Sequence, residues 1–173
     1  MNYEAFFKIS YGLYIVASKG NEGKFSGHIS NTVFQTSSEP QTIAICSNKG
    51  NYTTDLINES GVFSITAICQ SVDLKFLGNF GFKSGRNTDK FKDFNYKISL
   101  SGAPILLDNT IAYFDCKVIS SLDVGTHTLF VGEVLDADIL DCNAEPLTYQ
   151  YYRTVIKGLS PKSAPTYIDK NKK

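Results

Sequence analysis

The sequence predicts a mainly β domain, an antiparallel barrel with a few helices packed outside it. Short apolar, β-branched runs recur along the chain between Gly-, Asn- and Asp-rich turns. Two of the runs, Ile111 to Leu122 and Thr128 to Leu140, are long enough for a barrel hairpin around the turn Asp123-Val124-Gly125-Thr126. Helical periodicity is confined to two segments, and no internal repeat or composition shift marks a second domain.

In order along the chain, Gly12 to Ser18 reads as a first strand and Lys19-Gly20-Asn21-Glu22-Gly23 as turn chemistry. Phe25 to Val33 follows as a second strand, so the two predict a hairpin. After Pro40, the run Thr42 to Ser47 is continuously apolar enough to be buried on both faces, and Val62 to Cys69 repeats that character. Between them Asn51 is placed to cap a helix over Tyr52 to Ser60. Gly61 supplies the left-handed stop, and Tyr52, Leu56 and Ile57 share one face. Ser71 is placed to cap a second helix over Val72 to Phe80, with Asp73 in its first turn and Gly81 ending it. Its apolar side is Val72, Phe76, Leu77 and Phe80. From Phe82 to Phe94 the chain turns polar and cationic, which predicts an ordered surface loop. Ser160-Pro161-Lys162-Ser163-Ala164-Pro165, with its Lys-rich end, reads as an exposed tail. The expected division is a domain over 1–158 and a tail over 159–173.

A chain of 173 residues that is 42% hydrophobic and 20% charged can bury one core without staples. Its 17 basic residues balance 17 acidic ones, so nothing draws it generally to nucleic acid or to an anionic membrane. The N-terminus is not a secretory signal, and no segment approaches the ~20 apolar residues of a membrane span. Cys46, Cys69, Cys116 and Cys142 are widely spaced, with no Cys-x-x-Cys clip, and the first three lie in apolar runs where free cysteine packs as a small hydrophobe. A reduced, cytoplasmic chain is expected. With two histidines, no His-rich metal site is available, and none is expected.

The familiar motifs of hydrolysis and phosphoryl transfer are missing: no Gly-x-Gly-x-x-Gly, P-loop, His-Glu-x-x-His or Gly-x-Ser-x-Gly. Chemistry borrowed from a cofactor fits better, since the protein then only binds, orients and tunes. Three segments could do this. In Cys46-Ser47-Asn48-Lys49-Gly50-Asn51-Tyr52-Thr53-Thr54 a strand turns into a helix whose first N–H groups are unpaired, with Lys49 and several hydroxyls nearby. A phosphate would fit there, although the same residues also serve simply as caps. Gly27 to Pro40 offers amides and hydroxyls to a flat heteroaromatic edge, or else satisfies its own backbone as a bulge or wide loop. His127 opens a strand at a cleft end, where a plain surface histidine is the commoner finding.

Together and in this order, the segments resemble the flavin reductase-like, FMN-binding split β-barrel family. The resemblance rests on Gly12-Leu13-Tyr14, on Asn31-Thr32-Val33-Phe34-Gln35 with Pro40 behind it, and on Asn48-Lys49 followed by Tyr52-Thr53. It continues through Ser84-Gly85-Arg86 to Asp89-Lys90-Phe91, Gly102-Ala103-Pro104, Thr126-His127-Thr128 to Gly132-Glu133-Val134, and Lys157-Gly158 to Ala164-Pro165-Thr166-Tyr167. It implies a homodimer of Greek-key split barrels with FMN near the subunit interface. By resemblance, Asn31, Thr32 and Val33 would lie against the isoalloxazine and ribityl chain. Ser47, Asn48, Lys49 and Thr53 would surround the phosphate, and Tyr52 would also bind the cofactor. His127 would face the flavin and help place a nicotinamide, and Lys83, Arg86 and Lys90 would sit on a loop able to cover the cleft. Tyr151, Tyr152 and Arg153 are a weaker carry-over.

The resemblance implies hydride transfer from NADH or NADPH to FMN, then electron delivery to free flavin, ferric iron or a redox protein. An FMN-binding electron carrier without its own NAD(P)H oxidation is the alternative, and a plain β-barrel interaction module a third. In some relatives the Ala-Pro-Thr-Tyr segment runs on into a rubredoxin-type iron domain. Here Tyr167 is followed by Ile-Asp-Lys-Asn-Lys-Lys, so such an acceptor is expected as a separate protein.

Overall fold

The computed structural model describes residues 1–141 and 143–167; Cys142 and the Lys-rich end lie outside them. After a 3-10 turn over Tyr3–Lys8 come β1 (Tyr14–Lys19), β2 (Phe25–Ser30), β3 (Val33–Ser38), β4 (Gln41–Asn48) and helix α1 (Tyr52–Ser60). Then follow β5 (Val62–Ile68), α2 (Leu74–Phe82), β6 (Tyr96–Ile98), β7 (Pro104–Leu106), β8 (Thr110–Asp123), β9 (His127–Ile139) and α3 (Tyr149–Thr154). The fold is mostly β, with its main sheet antiparallel throughout.

That sheet has seven strands in the order β2-β1-β5-β8-β9-β4-β3, while β6 and β7 form a separate ribbon. β2 and β3 stand at opposite edges, yet only Asn31 and Thr32 join them. Two residues span roughly 10 Å at most, so the sheet must roll until its edges nearly meet. The result is a barrel split at that corner, where the Cys46 N–H donates to the Thr32 carbonyl at 3.2 Å and carries the β3–β4 pairing up to the corner. Register shifts at Asp115/Cys116 and Val118/Ser120 in the long β8–β9 hairpin help the sheet to bend.

Both faces of β1 are buried. Val16 joins Ile43, Ile45, Phe63, Ile65, Cys116 and Phe130 inside the barrel, with Ile57 of α1. Its neighbours Ile15 and Ala17 face the other way, onto Phe76, Leu77 and Phe80 of α2, Phe91, and Tyr149 and Tyr152 of α3. β4 is buried over Thr42 to Ile45 and at Ser47, as its unbroken apolar run predicts.

Several expectations need correction. The second strand stops at Ser30, and the polar stretch that follows, expected as a bulge or wide loop, is the edge strand β3, with a register shift at Gln35/Ser37. α2 starts at Leu74, because the Asp73 carboxylate, not Ser71, accepts the Phe76 N–H at 2.7 Å. It also runs through Gly81 to Phe82. α1 matches its expected bounds, and Gly61 stops it with φ +67°. The Phe82–Phe94 segment is the ordered, mostly exposed loop expected, but it does not lie wholly at the surface: Lys90 and Phe91 are buried, and the Phe91 ring lies 5.6 Å from that of Phe80. Nor does the tail hang free. Tyr152 Oη donates to the Leu159 carbonyl at 2.8 Å, which turns the chain back against the barrel, and Thr166 is buried.

Candidate functional site

A cavity of about 280 Å³ opens where β2, the start of α1, the end of α2 and the C-terminal segment converge. β2 supplies its polar wall. Alternation along the strand sends Ser26, His28 and Ser30 to one face, and all three are buried. The apolar wall includes Leu13, Phe80, Tyr149 and Tyr152.

The start of α1 is open in a specific way. Asn48 Oδ1 accepts the Gly50 N–H at 2.8 Å, and the Asn48 carbonyl takes the Asn51 N–H at 3.0 Å, which makes the turn. Asn51 then occupies the cap position without forming a side-chain cap bond. The Tyr52 and Thr53 N–H groups therefore find no acceptor among the described residues, and both residues line the cavity. Simple capping does not account for this end of the helix. It presents unpaired amides, the arrangement that favours an anion.

Seven of the expected residues meet at this cavity: Asn31, Asn48, Tyr52, Thr53, Lys83, Lys90 and His127. Five do not line it. Lys49 turns outward to Asp123, with Nζ 2.6 Å from Oδ2, because the β8–β9 turn brings that carboxylate beside it. Arg86 pairs with Asp55 at 2.5 Å and lies over the Tyr52 ring, although its neighbours Ser84 and Gly85 do reach the wall. A side chain at Gly85 would collide with Ser26 and crowd Tyr52, so glycine lets the loop press down here. Val33 packs into the barrel core, Thr32 bonds back to Asn31 Oδ1 at 3.3 Å, and Ser47 sits behind the wall.

Lys90, expected with Lys83 and Arg86 on a loop able to cover the cleft, is a buried cation. It is 3% exposed, and its Nζ donates to the carbonyls of Gly27 at 2.6 Å and Phe80 at 3.0 Å. Burial, with a smaller push from Lys83, lowers its pKa to about 8. The Lys90 ammonium thus ties β2 to α2 while standing at the cavity.

His127 opens β9 opposite Asn48. Its Nε2 lies 3.2 Å from the Ser163 carbonyl, which can only accept, so that nitrogen carries the proton. Nδ1 then accepts from Thr126 Oγ1 at 2.8 Å. Burial lowers the His127 pKa, against the Ser163 carbonyl, which raises it; the ring is neutral near pH 7. Asn48 Nδ2 donates to the same Ser163 carbonyl at 3.2 Å, and Asn31 Nδ2 donates to Thr166 Oγ1 at 3.2 Å. The segment read as an exposed tail is a wall of the site.

His28, Tyr149 and the C-terminal segment escaped the sequence reading. The signal for His28 was available, since polar residues at every second place on a buried strand mark a wall that something polar must satisfy. Tyr152, a weaker expectation, lines the cavity; Tyr151 and Arg153 do not, and Arg153 stacks over Phe7 instead. Among the described residues no group of His, Cys, Asp or Glu is arranged to hold a metal ion, and no helix is long and apolar enough to cross a membrane.

The family model described as "Flavin reductase like domain" matches residues 6–158. The chain belongs to the flavin reductase-like family. Among its relatives, the ferric-chelate reductase (NAD(P)H) of Archaeoglobus fulgidus is 44% identical over 98% of this chain and 99% of its own length. The high molecular weight rubredoxin of Moorella thermoacetica is 44% identical over 96% of this chain and 72% of its own. Among solved structures of this flavin reductase-like fold, nitrilotriacetate monooxygenase component B from Mycobacterium thermoresistibile superposes with a TM-score of 0.74. It is 22% identical, over 84% of this chain and 79% of that one.

Proposed function

We propose that this chain is an FMN-dependent oxidoreductase that takes electrons from NADH or NADPH and delivers them to free flavin, ferric iron or a redox protein. The observation that carries the reading is the start of α1, where two unpaired amides face the cavity. The names of the two relatives at 44% identity, a nicotinamide-dependent ferric-chelate reductase and a rubredoxin, support the redox class.

The residues present fit a flavin mononucleotide. The Tyr52 and Thr53 amides, with the Thr53 hydroxyl, suit its phosphate, and Lys83 also lines the cavity. The amides and hydroxyls of β2 and Asn31 suit a polyol and a heteroaromatic edge. When bound, the flavin would supply the hydride-accepting and electron-passing chemistry that no side chain here can perform.

The protein's own part is then binding, orientation and shielding. Lys90 places a positive charge by the site without exposing it to water, and such a fixed charge favours negative charge developing nearby. His127, held by Thr126 and Ser163, presents a neutral ring on the cavity lining to position a nicotinamide.

A homodimer in the cytoplasm is part of the proposal. The outer β8–β9 hairpin carries Ile119, Leu122, Val124 and Leu135, each at least 42% exposed, which suits a covered face. Cys46, Cys69 and Cys116 are free thiols, as suits a reducing compartment.

The test is anaerobic mixing of the FMN-loaded protein with NADH and NADPH in turn, following flavin absorbance. Rapid bleaching by either nicotinamide is the expected result. Indifference to both would make the chain an electron carrier, and failure to take up FMN would overturn the reading.

A further inference from the structure

His28 stands on the cavity wall with one nitrogen spoken for and one not. Its Nε2 lies 3.2 Å from Ser47 Oγ, Ser47 Oγ lies 2.6 Å from Thr54 Oγ1, and Thr54 Oγ1 donates to the Asn48 carbonyl at 2.7 Å. Proton counting orders this chain. A carbonyl can only accept, so the single Thr54 hydroxyl proton goes to Asn48. The Ser47 proton must then go to Thr54, and Ser47 is left to accept from His28. Nε2 therefore carries the hydrogen, and Nδ1 is a bare acceptor.

That acceptor is buried and has no partner among the described residues. Burial above all, with a smaller push from the Lys90 ammonium, lowers the His28 pKa to about 3, so the ring does not satisfy itself by protonation near neutral pH. Unpaired buried acceptors are uncommon in native proteins. Here Ser47, Thr54 and Asn48 lock the tautomer that leaves Nδ1 open, in a residue 91% buried on a ligand-sized cavity.

We infer that His28 Nδ1 accepts a hydrogen bond from a hydroxyl of the bound ligand's sugar-alcohol chain, making His28 a positioning residue for the ribityl segment of the flavin. The inference rests on the flavin reading. Along β2, His28 lies between Ser26, whose Oγ is 3.0 Å from Thr53 Oγ1 at the α1 start suited to phosphate, and Asn31 at the β2–β3 corner, where the polyol linking phosphate and ring would pass. Among the parts of FMN, that linker is a run of hydroxyl donors, the phosphate brings acceptors, and the ring offers one N3–H, which lumiflavin keeps.

Two substitutions separate the two nitrogens. His28→Gln keeps a donor near Ser47 and loses the Nδ1 acceptor; His28→Asn keeps an acceptor near Nδ1 and loses the reach to Ser47. Dissociation constants for FMN, riboflavin and lumiflavin, which has neither ribityl chain nor phosphate, are read by flavin fluorescence quenching. The expected result is that His28→Gln weakens FMN and riboflavin about tenfold and lumiflavin less than about twofold, as loss of one neutral hydrogen bond predicts. His28→Asn should stay within about threefold of the parent for all three. A His28→Gln protein that binds riboflavin like the parent overturns the inference, and would mean that a water or nothing occupies Nδ1. Equal losses for lumiflavin, or a His28→Asn protein as weak as His28→Gln, also overturn it. A parent protein that binds none of the three flavins overturns the flavin reading itself, a distinct result.

Discussion

His127 and Ser163, 36 residues apart in sequence, meet through an Nε2–H donated to the Ser163 carbonyl at 3.2 Å. Asn48 from the neighbouring strand donates to that same oxygen. One peptide carbonyl of the C-terminal segment thus orients two side chains from adjacent strands of the barrel.

If His127 positions the nicotinamide, its removal should damage the donor step and spare the flavin. His127→Ala is expected to slow anaerobic bleaching by NADH at least about tenfold, the scale of a lost positioning contact. FMN affinity should move less than about threefold. Parallel losses in both measurements would make His127 a structural residue.

Lys49 and Thr53 should separate sharply. Lys49 is paired with Asp123 at the surface, where such a pair contributes about 0–1 kcal/mol, so Lys49→Ala should leave FMN affinity within about twofold. Thr53 is 1% exposed, with its hydroxyl 3.0 Å from Ser26 Oγ, at the amides suited to phosphate. Thr53→Val should weaken FMN about tenfold and riboflavin hardly at all. The reverse ranking, measured by fluorescence titration, would move the phosphate to the Lys49 side of the turn.

Acid should unfold the protein partly through His28. Its pKa falls from an ordinary 6.5 to about 3 in the folded state, so between those values the unfolded chain binds the extra proton. Stability from this group is complete above pH 6.5 and is lost as pH falls towards 3, on the order of 5 kcal/mol in all. Urea titrations from pH 7 to 4 should show His28→Gln losing less stability than the parent. Parallel curves would mean that the ring is charged in the fold.

Much of this architecture is legible in the sequence because one physical signal dominates it. The unbroken apolarity of Thr42 to Ser47 and the left-handed stop at Gly61 each have a single structural solution, and both are found. The strand-to-helix turn at Asn51 was legible in the sequence, but which of its groups line the cavity was not. Lys49 could be placed only by knowing that the β8–β9 turn brings Asp123 beside it. Lys90 misleads for the same reason: a lysine in a polar stretch reads as solvated until two carbonyls from β2 and α2 are seen to close on it. The C-terminal segment is rich in Ser, Pro and Lys, and its packing depends on Tyr149 and Tyr152 offering hydroxyls to Ser160 and Leu159, a long-range match without periodicity.

Local sequence misplaces the start of α2 by offering two caps. Ser71 and Asp73 both qualify by type, and the structure uses Asp73. Asp73→Ala should cost about 1 kcal/mol, or roughly 2–4 °C in Tm, whereas Ser71→Ala should cost less than about 0.5 kcal/mol. Thermal melts of the two variants side by side decide between them.

The C-terminal segment holds Asn31, Asn48 and His127, which are either oriented by it for a ligand or withheld from one. The geometry favours orientation. The segment gives the Tyr52 and Thr53 amides no partner, and its residues 159–161 and 163–166 line the cavity. Ending the chain at Gly158 should therefore loosen the site, with FMN released at least about tenfold faster in stopped-flow displacement, as loss of several hydrogen bonds and one wall predicts. The fold should persist, since the barrel core is built from strands and α1 alone. If the shortened protein instead binds FMN more tightly and releases it more slowly, Ser163 and Thr166 compete with the ligand for these donors, and the segment is a plug.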